Sequence, residues 1–463
     1  MLKHKSIGYK ISIMMLALTL LAVSLGCAGM TTFIPTNSAN SVLQPTLPTG
    51  LNPLPGVNSG SSGDLAVSNK PRQASPQTPD ADLKTLSGDN NAFALDLYHA
   101  LPDKTPQNLV FAPYSISQAL AMTFAGANGK TASQMAQVLH FTLTPQRLHP
   151  AFNALDLSLQ KTASSDNPDQ FQLKIANSLW GQTGYPFLSD FLDLLAENYG
   201  AGMHLTDYSN APEPSRLAIN QWVSEQTNNK IKDLLAQGVI TPDTRLTLVN
   251  AIYFNAHWVY PFEHNETHLA DFTHLDGSKT QVPFMSPANK LDLQYTRGTN
   301  YQAVELPYKG DEVAMTLIVP NEGHFYDVQS SISAAWLNDC WAQMKSQQVN
   351  LGMPKFKFET SLGLSEVLGG MGMQDAVNRS AADFSGMDGR HDLYIGAVVH
   401  KALIALDEDG TEAAAATAVI MKPEAALPRA NVVPLIIDRP FFFIIHDTHN
   451  QSILFMGQVV DPH

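Results

Sequence analysis

Cysteine is almost missing from this 463-residue chain, which has only Cys27 and Cys340. Neither a disulfide framework nor a CxxC metal site can be built from that pair. Charge is sparse too, at 15% of residues, and positive charge is the scarcer kind, with 28 Lys and Arg against 42 Asp and Glu. The net charge of −14 repels phosphate backbones, and no cluster of Lys and Arg interleaved with aromatics offsets it. Nucleic acid is therefore not an expected partner. Catalytic signatures are lacking: there is no GxSxG elbow, SxxK, HExxH, P-loop or GxGxxG opening a helix, so no enzyme is expected. His264, His268 and His274, like His446 and His449, have only a loose metal-ligand spacing. No cysteine supports either group, so neither metal nor cofactor is expected. A 44% hydrophobic fraction suffices for a large core and excludes wholesale disorder.

The N-terminus reads as a targeting segment. Lys3, Lys5 and Lys10 form a positive region ahead of an apolar run over 11–25. At about fifteen residues that run falls short of the roughly 20 needed for a membrane span and suits a signal peptide. It ends in Ser24-Leu25-Gly26-Cys27. Small residues fit ordinary cleavage after Gly26. The segment also resembles a bacterial lipobox, with Ser24 where leucine is usual, which implies a lipid on Cys27. Residues 1–26 are the expected signal peptide. Of the 59 residues 28–86, 32 are Pro, Gly, Ser, Thr or Asn, too polar to offset chain entropy by burial. Residues 27–86 are thus expected to be a disordered tether, with ends roughly 40 Å apart as a flexible coil.

Composition is globular from residue 87 to His463. Helical periodicity falls at 91–101, 116–124, 131–139, 186–197, 214–227 and 361–368. Alternation at Val313, Met315, Leu317 and Val319 and at Phe356 and Phe358 predicts strands. The continuous apolar run 441–445 suits a strand buried on both faces. Helices dominate the first half and strands the second, which predicts a large α+β domain.

The most informative stretch runs from Asp407-Glu408-Asp409-Gly410-Thr411-Glu412 through Ala413, Ala414, Ala415 and Ala416 to Ala425. Contiguous acids of this kind usually form a solvated turn. Helix propensity makes the four alanines a helix start. Read as a strand, one face carries Thr411, Ala413, Ala415, Thr417, Val419 and Met421, with no charge. Glu412 and Lys422 fall on the other face. No proline occurs from Val399 to Lys422, so every amide there can join a ladder. Such a strand could slide between existing strands without burying a charge.

The order of sequence blocks decides between these readings. Asn108-Leu-Val-Phe-Ala-Pro-Tyr-Ser-Ile-Ser is followed by Ala119-Leu-Ala-Met-Thr-Phe-Ala-Gly-Ala-Asn-Gly-Lys-Thr, Ala176-Asn-Ser-Leu-Trp and Ile219-Asn-Gln-Trp-Val. Leu248-Val-Asn-Ala-Ile-Tyr-Phe, Trp258, Glu305-Leu-Pro-Tyr, Met353-Pro-Lys-Phe, His400-Lys-Ala, Gly410-Thr-Glu-Ala and Arg439-Pro-Phe-Phe-Phe-Ile-Ile complete the series. In this set and order, residues 87–463 resemble a serpin of prokaryotic type. The resemblance implies a serpin fold with three β-sheets, eight or nine helices and an exposed reactive-centre loop near 408–434. It implies suicide-substrate inhibition of a serine, or in some cases cysteine, protease, with the cleaved loop inserting into the main sheet. A non-inhibitory serpin that binds a ligand or partner is the alternative.

Further roles follow from the resemblance residue by residue. Glu408, Gly410, Thr411 and Ala413 to Ala416 match the hinge. Ser115, Asn250 and His400 match a polar cluster called the shutter, with Ala112 where a second serine is usual. Trp258 matches the breach, where insertion begins. Counting about seventeen residues from Glu408 places the scissile bond at Glu424-Ala425. Arg429-Ala430 is the competing site, although a strand reaching it would cross Pro423 and Pro428, which lack amide donors. The expected molecule is an exported monomer at the cell envelope, held to the membrane through Cys27 if that residue is acylated.

Overall fold

The computed structural model describes residues 64–101, 106–163, 171–287, 290–411 and 432–463. Its main sheet has seven strands, in the order Leu65–Ala66, Met203–Thr206, Phe171–Gln182, Leu246–His257, Gly410–Thr411, Ile395–Leu406 and Phe356–Gly363. Period-two alternation gives the long strands two different faces. Leu248, Asn250, Ile252 and Phe254 point into the larger core, beside helix Pro113–Phe124. Val249 and Ala251 point the other way, into a smaller core shared with Ile219 and Val223 of helix Pro212–Gln226. The sheet is covered on both sides.

A second sheet runs from Leu109–Phe111 through Ile453–Val459, Phe441–Asp447, Val313–Pro320, Tyr301–Pro307 and Leu291–Arg297 to Lys345–Pro354. The far end of that last strand also pairs with Lys279–Met285, which carries His268–Thr273 as a small third sheet. The run 441–445 is the strand expected, with all seven residues of Phe441–Asp447 buried. Val313–Pro320 does not alternate in burial: all eight of its residues are buried, because the sheet is covered on both faces there. Ten α-helices lie among the described residues, against eight or nine expected; three of them have seven residues or fewer. The helix expected at 361–368 begins only at Ser365, because Ser361 to Gly363 are held in an antiparallel ladder from Lys401 to Val399.

The folded chain starts before residue 87. Helix Asp80–Ala100 opens with Asp80 and Asp82 in its first turn, which suits the helix dipole. Ahead of it, Leu65 and Ala66 pair with His204 and Met203 at the sheet edge. A Cβ at Gly202 would come within 2.8 Å of the Ala66 carbonyl, so a glycine allows this approach. Arg72 reaches Asp156 at 2.6 Å and Asn153 at 2.8 Å, and Ser68 donates to Asp193 at 2.5 Å. Composition alone placed 64–86 in the tether. Edge pairing and fixed ion partners supply the ordering that its few apolar groups do not.

Candidate functional site

The site lies where Gly410–Thr411 enters the main sheet. Strands Leu246–His257 and Ile395–Leu406 run parallel and pair directly, from Leu246 opposite Ile395 to Tyr253 opposite Leu403. Above Tyr253 they part, and Gly410 and Thr411 fill the opening opposite His257 and Ala256. Thr411 is also paired with Leu406 on the other side. A strand position is thus begun at the top of the seam and left off where direct pairing starts.

Each hinge residue has a physical reason to be what it is. A Cβ on Gly410 would fall 2.0 Å from the Ala256 carbonyl oxygen, so only glycine fits in the wedge. Thr411 is fully buried, and its hydroxyl meets that of Tyr308 at 2.6 Å. Tyr308 stacks on Trp258, with centroids 4.4 Å apart and planes 15° from parallel. The Trp258 amide donates to the Asp409 carbonyl at 2.9 Å, and its indole N–H to the Asp407 carbonyl at 3.2 Å. The acidic run is no solvated turn: Glu408 is 2% exposed. Burial works to raise its pKa. Lys355 at 2.6 Å and Thr267 at 2.6 Å hydrogen-bond the carboxylate, and the net effect lowers it.

The polar cluster expected from the resemblance to be the shutter lies midway down the same seam. Asn177, Asn250 and His400 sit opposite one another on three neighbouring strands, on the face toward the larger core. Asn250 Nδ2 donates to Ser115 Oγ at 2.5 Å and also to Asn177 Oδ1. The Asn177 amide reaches Gln118 Oε1 at 2.7 Å. His400 Nε2 accepts from the Ala112 backbone N–H at 3.1 Å, so its proton sits on Nδ1, facing the Asn250 side-chain oxygen. The hydroxyl missing at Ala112 leaves His400 paired, because the main chain supplies that donor. Any strand extending from Thr411 down the seam must separate His400 from Asn250.

The site residues expected from sequence therefore divide. Glu408, Gly410, Thr411 and Trp258 meet at the top of the seam, and Ser115, Asn250 and His400 form one network below it. Cys27, Ala413 to Ala416, Glu424, Ala425, Arg429 and Ala430 lie outside the described residues. Tyr308, Lys355 and Asn177 were missed as contributors. All three stand inside the sequence blocks quoted above, and Asn177 is a polar break in the apolar alternation of Ile175 and Leu179. Of the histidines with loose metal spacing, His274 bonds to Thr280 and the Val460 carbonyl, His268 to the Glu266 carbonyl, and His446 to Glu305, whereas His264 lies beside Glu408 and Asp409. Away from the seam, a cavity of about 240 Å³ is lined by Glu305, Trp341, Met344 and His446 among others.

Burial makes the molecule acid-sensitive. It lowers the pKa of His400 to about 3, and those of His149 and His204 to about 4. In the unfolded chain such imidazoles take up protons below about pH 6.5. All three are neutral when folded, so stability is full above that pH and falls as pH drops toward 4. The loss should reach about 2 kcal/mol per histidine by pH 5. Urea midpoints at pH 7.5 and 5 check this, and His400→Gln should remove about a third of the difference.

An α+β protein whose main sheet begins a strand, Gly410–Thr411, at the top of a seam closed below by direct pairing is the class that fold and site define. The family model described as serpin (serine protease inhibitor) matches residues 88–462, and the chain belongs to the serpin family. The leukocyte elastase inhibitor of Homo sapiens is 36% identical over 389 residues, covering 82% of this chain and all of that protein. An uncharacterized serpin-like protein of Thermococcus kodakarensis is 37% identical over 372 residues, covering 80% of this chain and 84% of its own. The native-state crystal structure of the thermophilic serpin tengpin superposes with a TM-score of 0.73 at 28% identity, covering 85% of this chain and 97% of that one.

Proposed function

We propose that this protein is a suicide-substrate inhibitor of serine-type endopeptidases. The protease serine attacks a bait carbonyl between 412 and 431, the new amine terminus leaves, and an ester joins enzyme to inhibitor. The freed strand then continues from Thr411 down the seam and carries the enzyme with it before water cleaves the ester. The observation that carries this reading is the buried, paired Thr411, with a small-residue run following it in sequence. Small side chains enter a closing sheet with little steric resistance. The remaining parts of the proposal are export by residues 1–26, a membrane anchor at Cys27, monomeric action at the cell envelope, and a bait bond at Glu424-Ala425 ahead of Arg429-Ala430.

Incubation with a panel of glutamyl-specific, elastase-like and trypsin-like enzymes tests this. A complex stable in SDS is the expected result, and the mass of the released C-terminal peptide identifies the bond. Clean cleavage by every enzyme, without complex, would reject inhibition. A ligand-carrying serpin is the second reading, favoured by the cavity at Glu305, Trp341 and His446.

A further inference from the structure

The chain enters the folded domain at the end of the main sheet opposite to the hinge. The Asp64 carbonyl accepts from the Leu205 amide at 2.6 Å, and Leu65 and Ala66 pair with His204 and Met203. Register carries that level across the sheet: Leu205 lies opposite Gly181, and Gly181 opposite Leu246. Thr411 lies opposite Ala256, ten residues further along the same strand. At about 3.3 Å per residue, entry and hinge stand roughly 33 Å apart along the strands. The entry point is held in place. Arg72 is bound by Asp156 and Asn153, and Lys70 pairs with Asp193 at 3.0 Å and Glu197 at 3.3 Å. The Gln73 amide donates to the Glu197 carbonyl at 2.9 Å.

Register also says where an inserted strand would end. Gly410–Thr411 is antiparallel to Leu246–His257, so a strand continued from Thr411 brings residue 421 opposite Leu246, level with Asp64. A bait bond after Glu424 then comes to rest three residues, or about 10 Å, beyond that level. Four strand spacings of about 4.8 Å, roughly 19 Å in all, separate it sideways from the chain entry. An enzyme held by an ester at that point lies beside the place where the N-terminal segment joins the domain.

We propose that the anchored protein meets a soluble endopeptidase at the end of the sheet away from its anchor and stows it at the anchored end, with residues 28–63 providing the clearance. This rests on the inhibitory reading and on a membrane anchor at Cys27. From Cys27 to Asp64 the chain can reach at most about 130 Å. A protease domain of about 230 residues is roughly 45 Å across. The segment is therefore long enough to let such an enzyme pass. Attack and trapping make different demands: access to the bait needs no length in this segment, and trapping does.

The chain beginning at Cys27, coupled through that thiol to vesicles carrying a maleimide lipid, tests the two demands separately. Cys340 is buried and does not compete. The probe is the soluble enzyme of the panel that cuts fastest between 412 and 431. Coupled and free chains should be cut at equal rates and give equal yields of SDS-stable complex. Deleting 28–58 leaves five residues before Asp64, a reach of at most about 22 Å. Once coupled, that variant should still be cut at the full rate, but its complex yield should fall by about threefold or more. Free in solution it should trap normally, and 31 Gly and Ser residues in place of 28–58 should restore the coupled yield. Equal trapping by the short form, coupled or free, overturns the proposal, and so does slower cutting of the coupled form. Absence of complex from the free full-length chain rejects the inhibitory reading and the stowing step with it, while the cutting rates still decide which end faces the enzyme.

Discussion

Nicking the chain between residues 412 and 431 should raise its melting temperature by about 20 °C. An ordinary domain loses stability when cut. Here a cut lets the strand begun at Gly410–Thr411 continue between Leu246–His257 and Ile395–Leu406. About twelve inserted residues would form some 24 backbone hydrogen bonds and displace roughly eight from the parallel pair, at a net value near 1 kcal/mol each. Unfolding entropy of about 2.1 cal/mol/K per residue over the folded chain converts that gain to the stated shift. On the proposed inhibitory reading, the uncut form persists because the path to insertion is blocked, which would make its stability kinetic. Calorimetry before and after limited proteolysis gives the answer, and equal melting temperatures would end the inhibitory account.

Thr411→Arg should turn the protein from trap to substrate, with the yield of SDS-stable complex falling at least tenfold. Thr411 is fully buried against Tyr308, with Gly410 wedged on the Ala256 carbonyl beside it. An arginine there must either bury an unpaired charge, at a cost of several kcal/mol, or pull the hinge out of the seam. The first rung is lost either way, and hydrolysis of the ester overtakes insertion. Thr411→Val is the control: it keeps the shape but leaves the Tyr308 hydroxyl without its partner, a loss of about 1–3 kcal/mol. Quantifying complex against cleaved inhibitor at fixed protease settles the point, and an undiminished yield for Thr411→Arg would refute it.

What could be read from sequence, and what could not, follows the range of the interactions. The run at 441–445 announced a doubly buried strand because burial on both faces needs no partner to be specified. The hinge was legible as a charge-free face, and Thr411 lies on it. The acidic run 407–409 was misread as solvated, because its burial depends on Lys355, Thr267 and Trp258, far away in the chain. Asn177 escaped notice for the same reason: its partners Asn250 and Gln118 meet it only across strands and helix. Residues 64–79 looked like linker, since edge pairing to Met203–Thr206 leaves no mark on composition.

Lys355 is the one residue between strand Lys345–Pro354 and strand Phe356–Gly363, and it grips Glu408. Val433–Ile436 runs parallel to Lys345–Pro354, opposite Val349 to Gly352. Both ends of the twenty-residue span 412–431 are therefore moored to a single corner of the molecule. An uncut chain can gain slack only by unzipping that four-residue mooring, whereas scission casts off one rope and leaves the other fast. On the proposed inhibitory reading, the span would work as a fuse whose shelf life without protease depends on how well Val433–Ile436 holds to Lys345–Pro354.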